Sequence, residues 1–228
     1  MKNKKLPIVL GAILLIITAF CTSATASPYT DFDFEDITFW VGEGENQAAF
    51  VVQWSDGDDT TCLAWGYRWD GDARAEDMIV ALAGSGSTDG GRYPGDLDGA
   101  DNRLYVSLHW WSDYNAYTLS GLGYDLDNDG FATDDPDDLY MSGWTSGYWS
   151  YWLSDDGSEW DYSGVGLSGR VLSDGSWDGW NFSGGGYGSG EGPGTPVAAQ
   201  APVPVLATVW LLGSGLLGLV GIRRRAKS

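Results

Sequence analysis

From Phe32 onward, short apolar runs alternate with clusters of Gly, Asp and Ser, and the runs are rich in β-branched and aromatic residues. Ile37-Thr38-Phe39-Trp40-Val41 and Ala48 to Trp54 predict two strands, and the Gly-Glu-Gly-Glu-Asn link between them predicts a hairpin. Cys62 to Trp69 predicts a third strand, and Arg103 to Trp111 and Asn115 to Leu119 predict two more. One segment has a different period. Ala75, Met78 and Leu82 recur at three- and four-residue spacing, which predicts a helix over about 73–83. Asp72 stands as its cap, Glu76 and Asp77 in its first turns, and Gly84 as its stop. Residues 84–102, rich in Gly and Asp, read as a surface loop, and from Leu139 to Phe182 aromatic residues recur against Ser, Gly and Asp. Many short strands and one helix predict a mainly β fold, either a sandwich or a twisted antiparallel sheet carrying a short helix.

The two ends follow another pattern. Lys2, Lys4 and Lys5 precede an apolar run from Leu6 to Phe20, and Ala24-Thr25-Ala26 is the small-x-small pattern that a signal peptidase reads, so 1–26 is expected to be a signal peptide. Phe20 before Cys21 speaks against lipoprotein processing. At the other end Val205 to Ile222 carries no charge, and at about 1.5 Å per residue it is long enough for one transmembrane helix. Arg223, Arg224, Arg225 and Lys227 follow it and place 223–228 in the cytoplasm by the positive-inside rule. Between them the expected parts are an acidic, Trp-rich β domain over 27–183 and a flexible Gly/Pro-rich stalk over 184–204.

The tail has three parts: a proline box with Pro202 and Pro204, a Trp-Leu-Leu-Gly-Ser-Gly-Leu-Leu-Gly-Leu helix, and a terminal cluster of Arg223, Arg224 and Arg225. It resembles the PEP-CTERM sorting signal of Gram-negative bacteria, with Val203 where that signal has Glu. The resemblance covers about an eighth of the chain and implies an address. The chain would be anchored in the inner membrane, recognised by an exosortase, relieved of its helix, and delivered to the cell surface or an exopolysaccharide matrix. The stretches W-V-G-E-G-E-N-Q-A, L-A-W-G-Y-R-W-D-G, G-Y-W-S-Y-W and D-G-S-W-D-G-W resemble a poorly characterised family of exported bacterial domains, to which no activity attaches.

Charge narrows the partners. Of twelve basic residues, three lie in the signal and four in the tail, so residues 27–200 hold five Arg against all 32 acids, formally −27. Such a surface repels nucleic acid and anionic polymers unless divalent cations intervene. Cys62 is the one cysteine after the signal, so no intramolecular disulfide is available and the core or bound ions must hold the fold.

Two patterns carry candidate chemistry. In Asp125-Leu126-Asp127-Asn128-Asp129-Gly130-Phe131, alternate carboxylates before a Gly match half of a calcium loop, which nominates Asp125, Asp127, Asp129 and the Phe131 carbonyl as ligands. Thr133 and Pro136 depart from the EF-hand pattern, leaving Asp134, Asp135, Asp137 or Asp138 to complete the shell; the plain alternative is a solvated acidic turn. The second pattern is the aromatic excess, twelve tryptophans between residues 27 and 200. Aromatic faces beside carboxylates hold sugars, and they also fill β cores short of Leu and Ile. Trp144, Trp149, Trp177 and Trp180 are the candidates for an exposed, glycan-binding cluster. Catalysis finds less support. His109 reads as a packed histidine, Cys62 lies near Asp56, Asp58 and Asp59 rather than a cation, and nothing in the spacing selects a carboxylate pair such as Glu43 and Glu159. The expectation is a non-catalytic surface or matrix protein, structural or adhesive, with glycan and calcium binding; the alternative is a secreted carbohydrate-active hydrolase.

Overall fold

The computed structural model describes residues 32–201, apart from 57, 58, 94, 145, 146 and 184–189. The expected signal peptide, the membrane helix over 205–222, and Pro202, Pro204 and Arg223 to Arg225 lie outside the described residues. No helix among the described residues is long and apolar enough to cross a membrane.

The fold is mainly β, with two sheets and a single helix among the described residues. At the centre of the larger sheet, β2 (Asn46–Asp56) and β3 (Asp59–Trp69) pair antiparallel along their full lengths. On its other side β2 pairs in parallel with β10 (Ser176–Ser183), which carries β8 (Tyr148–Ser154) and then β9 (Asp161–Tyr162), both pairings antiparallel. The far edge of β3 is shared end to end by β1 (Trp40–Gly42) and β11 (Val197–Ala198), both parallel to it. The smaller sheet runs β4 (Ala83–Thr88), β5 (Asp101–Trp111), β6 (Ala116–Tyr124), β7 (Leu139–Ser142). Helix α1 (Ala75–Leu82) leads straight into β4. Pairing is thus mixed in both sheets, not the all-antiparallel arrangement that short strands and turns suggest.

Alternation along β2 explains the layering. Phe50, Val52 and Trp54 face a core shared with Trp65, with Met78 and Leu82 of the helix, and with Leu104, Leu108 and Leu122 of the smaller sheet. Ala49 and Val51 face the other way, against Ala64 and Trp177, under a cover of Phe34, Trp40 and Trp160. A strand buried on both faces reads as a continuous apolar run, as Ala48 to Val52 does. Fully burying each large side chain stabilises the fold by about 1.5–3 kcal/mol.

The structure departs from the sequence expectations in four further places. The Gly-Glu-Gly-Glu link is no hairpin: β1 pairs with β3, and the link hugs the end of that strand. At Gly44, with φ +150°, a Cβ would lie 2.1 Å from the Trp69 carbonyl carbon, so only glycine permits the approach. Part of the expected loop after Gly84 is strand β4, laid in parallel against β5. The helix starts after Arg74, whose N–H donates to the Asp77 carboxylate at 2.7 Å in place of a cap from Asp72.

The fourth departure is the stalk, whose residues 190–201 lie on the larger sheet. Ala199 donates to the Ala64 carbonyl at 2.9 Å, Gly194 to Gln53 Oε1 at 2.6 Å, and Cys62 Sγ to the Gly194 carbonyl at 3.3 Å. Side chains too small to make a core hide this from composition, because the bonds are made largely by backbone. Burial pushes the Cys62 thiol up to about 12, so it is held as a neutral, inert thiol.

Inside the core Arg170 Nη2 donates to Asp178 Oδ1 at 3.2 Å, and the Tyr151 hydroxyl donates to Asp178 Oδ2. Asp178 is fully buried, and burial raises its pKa although Arg170 and Tyr151 act against the rise. Arg170→Ala leaves a buried carboxylate without its cation and is expected to destabilise the chain by about 3–5 kcal/mol. Urea unfolding checks this, with Arg170→Lys as the variant that keeps the charge.

Candidate functional site

The outward face of the smaller sheet is built by alternation. On β5 the even positions Leu104, Val106 and Leu108 enter the core, which turns Ser107, His109 and Trp111 outward. On β6 the outward set is Ala116, Thr118 and Ser120, and register places Ser87 of β4 beside Ser107, His109 beside Thr118, and Trp111 beside Ala116. A bulge between Ser107 and Leu108 leaves Ser120 unpaired in the ladder, and its hydroxyl donates to the Ser107 carbonyl at 2.9 Å. These small hydroxyl side chains floor a groove of about 900 Å³.

Aromatic residues wall it. Trp111, Tyr114 of the β5–β6 turn and Trp144 after β7 are 45%, 78% and 57% exposed, an unusual outlay of large rings on one surface. Trp111 is fixed by its indole N–H, which donates to Thr118 Oγ1 at 3.0 Å, and by edge contact with His109, ring centres 4.5 Å apart. His109 Nδ1 meets Asp89 Oδ2, while Asp89 Oδ1 accepts the Trp110 N–H at 2.6 Å. The backbone bond first, and His109 after it, hold the Asp89 carboxyl below its usual range. His109 is therefore a groove residue held by a carboxylate, rather than the packed histidine its aromatic strand suggests. Among the described residues that line it, Asp89 is the only acid, and none is Arg or Lys.

Of the four tryptophans expected to form an exposed cluster, only Trp144 is exposed. Trp149 and Trp180 are 4% exposed and Trp177 is 2% exposed, the first two on the inner face of the larger sheet and the third beneath Phe32 and Phe34 on the outer one. Both faces of that sheet are covered, so no register of β8 or β10 turns a ring to solvent. Trp149 and Trp180 nevertheless line a narrower cleft of about 200 Å³ that shares Tyr117, Thr118, Trp144 and Gly166 with the groove. Trp111 and Tyr114 were missed by the sequence reading; the outward alternation Ser107, His109, Trp111 was the signal that could have found Trp111. Glu43 and Glu159 line neither the groove nor the cleft.

The acidic loop is a second cluster, between β6 and β7. Asp125 is 2% exposed; its Oδ1 accepts Asn128 N–H at 2.5 Å and its Oδ2 accepts Gly130 N–H at 2.9 Å. The Phe131 ring stacks on Tyr105 at 4.5 Å, over Gly123, where a Cβ would collide with it at 2.3 Å. Asp125, Asp127 and Asp138 bring carboxylate oxygens within 4.8 Å of one another. Oxygens bound to one calcium at about 2.3–2.6 Å are at most about 5 Å apart, so the spacing fits that ion. Asp138 Oδ2 accepts Ala132 N–H at 2.7 Å, while Oδ1 is buried without a partner. Asp129, expected as a ligand, falls outside this group, and Asp138 takes its place because the chain folds back through Ala132.

No protein-family model matches the chain, and neither a curated protein nor a solved structure matches it.

Burial, and after it the charges of Asp125, Asp135 and Asp127, raise the Asp138 pKa, with the Ala132 N–H opposing. A raised value means that the folded chain binds the proton more tightly than the unfolded chain. Stability from this group is therefore intact at low pH and is lost as pH rises from the ordinary value of 3.8 through the raised one. In chelator, the melting temperature of the wild type is expected to fall across that window, and Asp138→Asn to flatten the fall.

Proposed function

We propose that this chain is an exported, non-catalytic protein of the cell surface or exopolysaccharide matrix, a β-sandwich that binds neutral polysaccharide in the groove of its smaller sheet. The observation that carries the reading is the groove itself, with three exposed aromatic rings over a floor of hydroxyl side chains. Rings stack on the C–H faces of sugars, and hydroxyls and a lone carboxylate satisfy sugar hydroxyls. Charge supports a neutral ligand, since the excess of acids over residues 27–200 repels uronate-rich or sulfated chains. Two-carboxylate hydrolysis needs a pair flanking one bond, whereas among the described lining residues Asp89 is the single carboxylate, which favours binding over cleavage.

The tail supports the address: signal peptidase at the N-terminus and an exosortase at the C-terminus would deliver the domain to the polysaccharide it binds. Calcium is the ion proposed for the acidic loop, held by Asp125, Asp127 and Asp138. The unpartnered Asp138 Oδ1 and the fit of the oxygen spacing to calcium support it. The ion would neutralise the loop and fix the β6–β7 connection from which Trp144 follows.

Electrophoresis of the full chain through gels containing a neutral glucan or a partly acetylated chitin tests the binding reading. Retardation is expected for the wild type and for Glu43→Gln and Glu159→Gln, and a loss of at least about tenfold in affinity for Trp111→Ala. Retardation that survives Trp111→Ala, or cleavage abolished by Glu43→Gln or Glu159→Gln, would sink it. For the loop, calcium titration by calorimetry is expected to give heat and a raised melting temperature, both lost in Asp127→Ala. No heat and no shift would reduce the loop to a solvated turn.

A further inference from the structure

The cleft beside the groove lies between the two sheets, with Leu119 on one wall and Trp149, Tyr151 and Trp180 on the other. Its lining shares Tyr117, Thr118, Trp144 and Gly166 with that of the groove, so the two cavities are neighbours across these residues. One of its walls is Trp180, stacked on Tyr151 with ring centres 4.3 Å apart. Trp180 is 4% exposed, and its indole N–H is buried with no hydrogen-bond partner. Three other core indoles, those of Trp54, Trp65 and Trp149, donate to the Leu122 carbonyl, to Asp101 and to the Met141 carbonyl. A buried donor left without an acceptor is costly to fold, and structures retain one where a ligand or water supplies the acceptor.

We infer that this cleft is the terminal subsite of the groove, which takes the end ring of a neutral glycan, with a ring hydroxyl or ring oxygen accepting the Trp180 N–H. This rests on the reading of the groove as a polysaccharide site. A volume of about 200 Å³ has room for one sugar ring and not for a passing chain. The aromatic and aliphatic walls suit its C–H faces, and the Trp180 donor is buried, where a hydrogen bond discriminates best. A chain that ends in the cleft would be bound by its terminus, so the protein would engage polysaccharide at free ends while the groove holds the next units.

The test uses the full chain labelled with 15N at tryptophan and a panel of cello-, laminari-, malto- and chitohexaose. Trp180→Phe identifies the Trp180 indole resonance by its disappearance. The expected result is that the hexasaccharide that binds the wild type moves that resonance downfield at saturation. Trp180→Phe should weaken the same hexasaccharide about tenfold, the ratio for one buried hydrogen bond, while retardation by the polymer is kept. A wild-type resonance unmoved at saturation overturns the subsite even if the variant folds poorly. A hexasaccharide bound equally by Trp180→Phe but lost in Trp111→Ala leaves the groove reading standing and removes the cleft from it. Binding of no panel member overturns both.

Discussion

The interaction on which much of the structure depends is the pairing of a few arginines with carboxylates that the fold buries. Glu76, Asp101 and Asp178 are at most 1% exposed, and each is met by an arginine: Arg92, Arg103 and Arg170. The two remaining arginines of the domain are also engaged, Arg68 over the Trp40 ring at 4.6 Å and Arg74 with the Ser168 carbonyl at 2.8 Å. Burying a carboxylate is tolerable only with a cation or good donors beside it. With its few cations turned to the fold, the chain presents acid to solvent, and the charge of the surface follows from the chemistry of the core.

Aromatic packing meets the other demand of a domain without disulfides. Trp54, Trp65, Trp149 and Tyr124 interlock between the sheets at ring distances of 5.6–6.3 Å, so large rings fill volume that Leu and Ile fill elsewhere. Each large ring brings a polar atom that must be satisfied, and most are, by backbone carbonyls or a buried carboxylate. The indole N–H of Trp180 is buried without a partner, and Trp180 lines the cleft beside the groove. Groove, cleft and acidic loop are all gathered around β6: the groove on its outer face, the cleft on its inner face, and the loop after its last residue.

Much of the fold was legible because local pattern decided it. Ala48 to Trp54, Cys62 to Trp69 and Arg103 to Trp111 all lie within strands, and Ala75, Met78 and Leu82 do form the buried face of a helix. Less was legible where the deciding contact is remote. Strand β4 has the sequence Ala-Gly-Ser-Gly-Ser-Thr, which has no strand propensity to read, and β5 alone makes it a strand. Residues 190–201 look like a linker, yet β3 offers them an unpaired edge. The site was legible only in part. Trp144 is exposed and Asp125 and Asp127 do converge, as the sequence suggests, but Trp149, Trp177 and Trp180 are buried, because aromatic excess does not reveal that both faces of a sheet are covered.

The sequence by itself determined the class of the fold, the position of its helix, the excess of acid over residues 27–200, and the chemistry available there, which is rings, hydroxyls and carboxylates with few cations. These follow from composition and from periodicity, which act over a few residues. Only the tertiary structure decided which rings remain exposed, that Asp138 rather than Asp129 joins Asp125 and Asp127, and that Asp89 meets His109 across a parallel pair of strands. Exposure and convergence depend on which strands become neighbours and which faces are covered, and those choices are made by contacts between residues far apart in the chain.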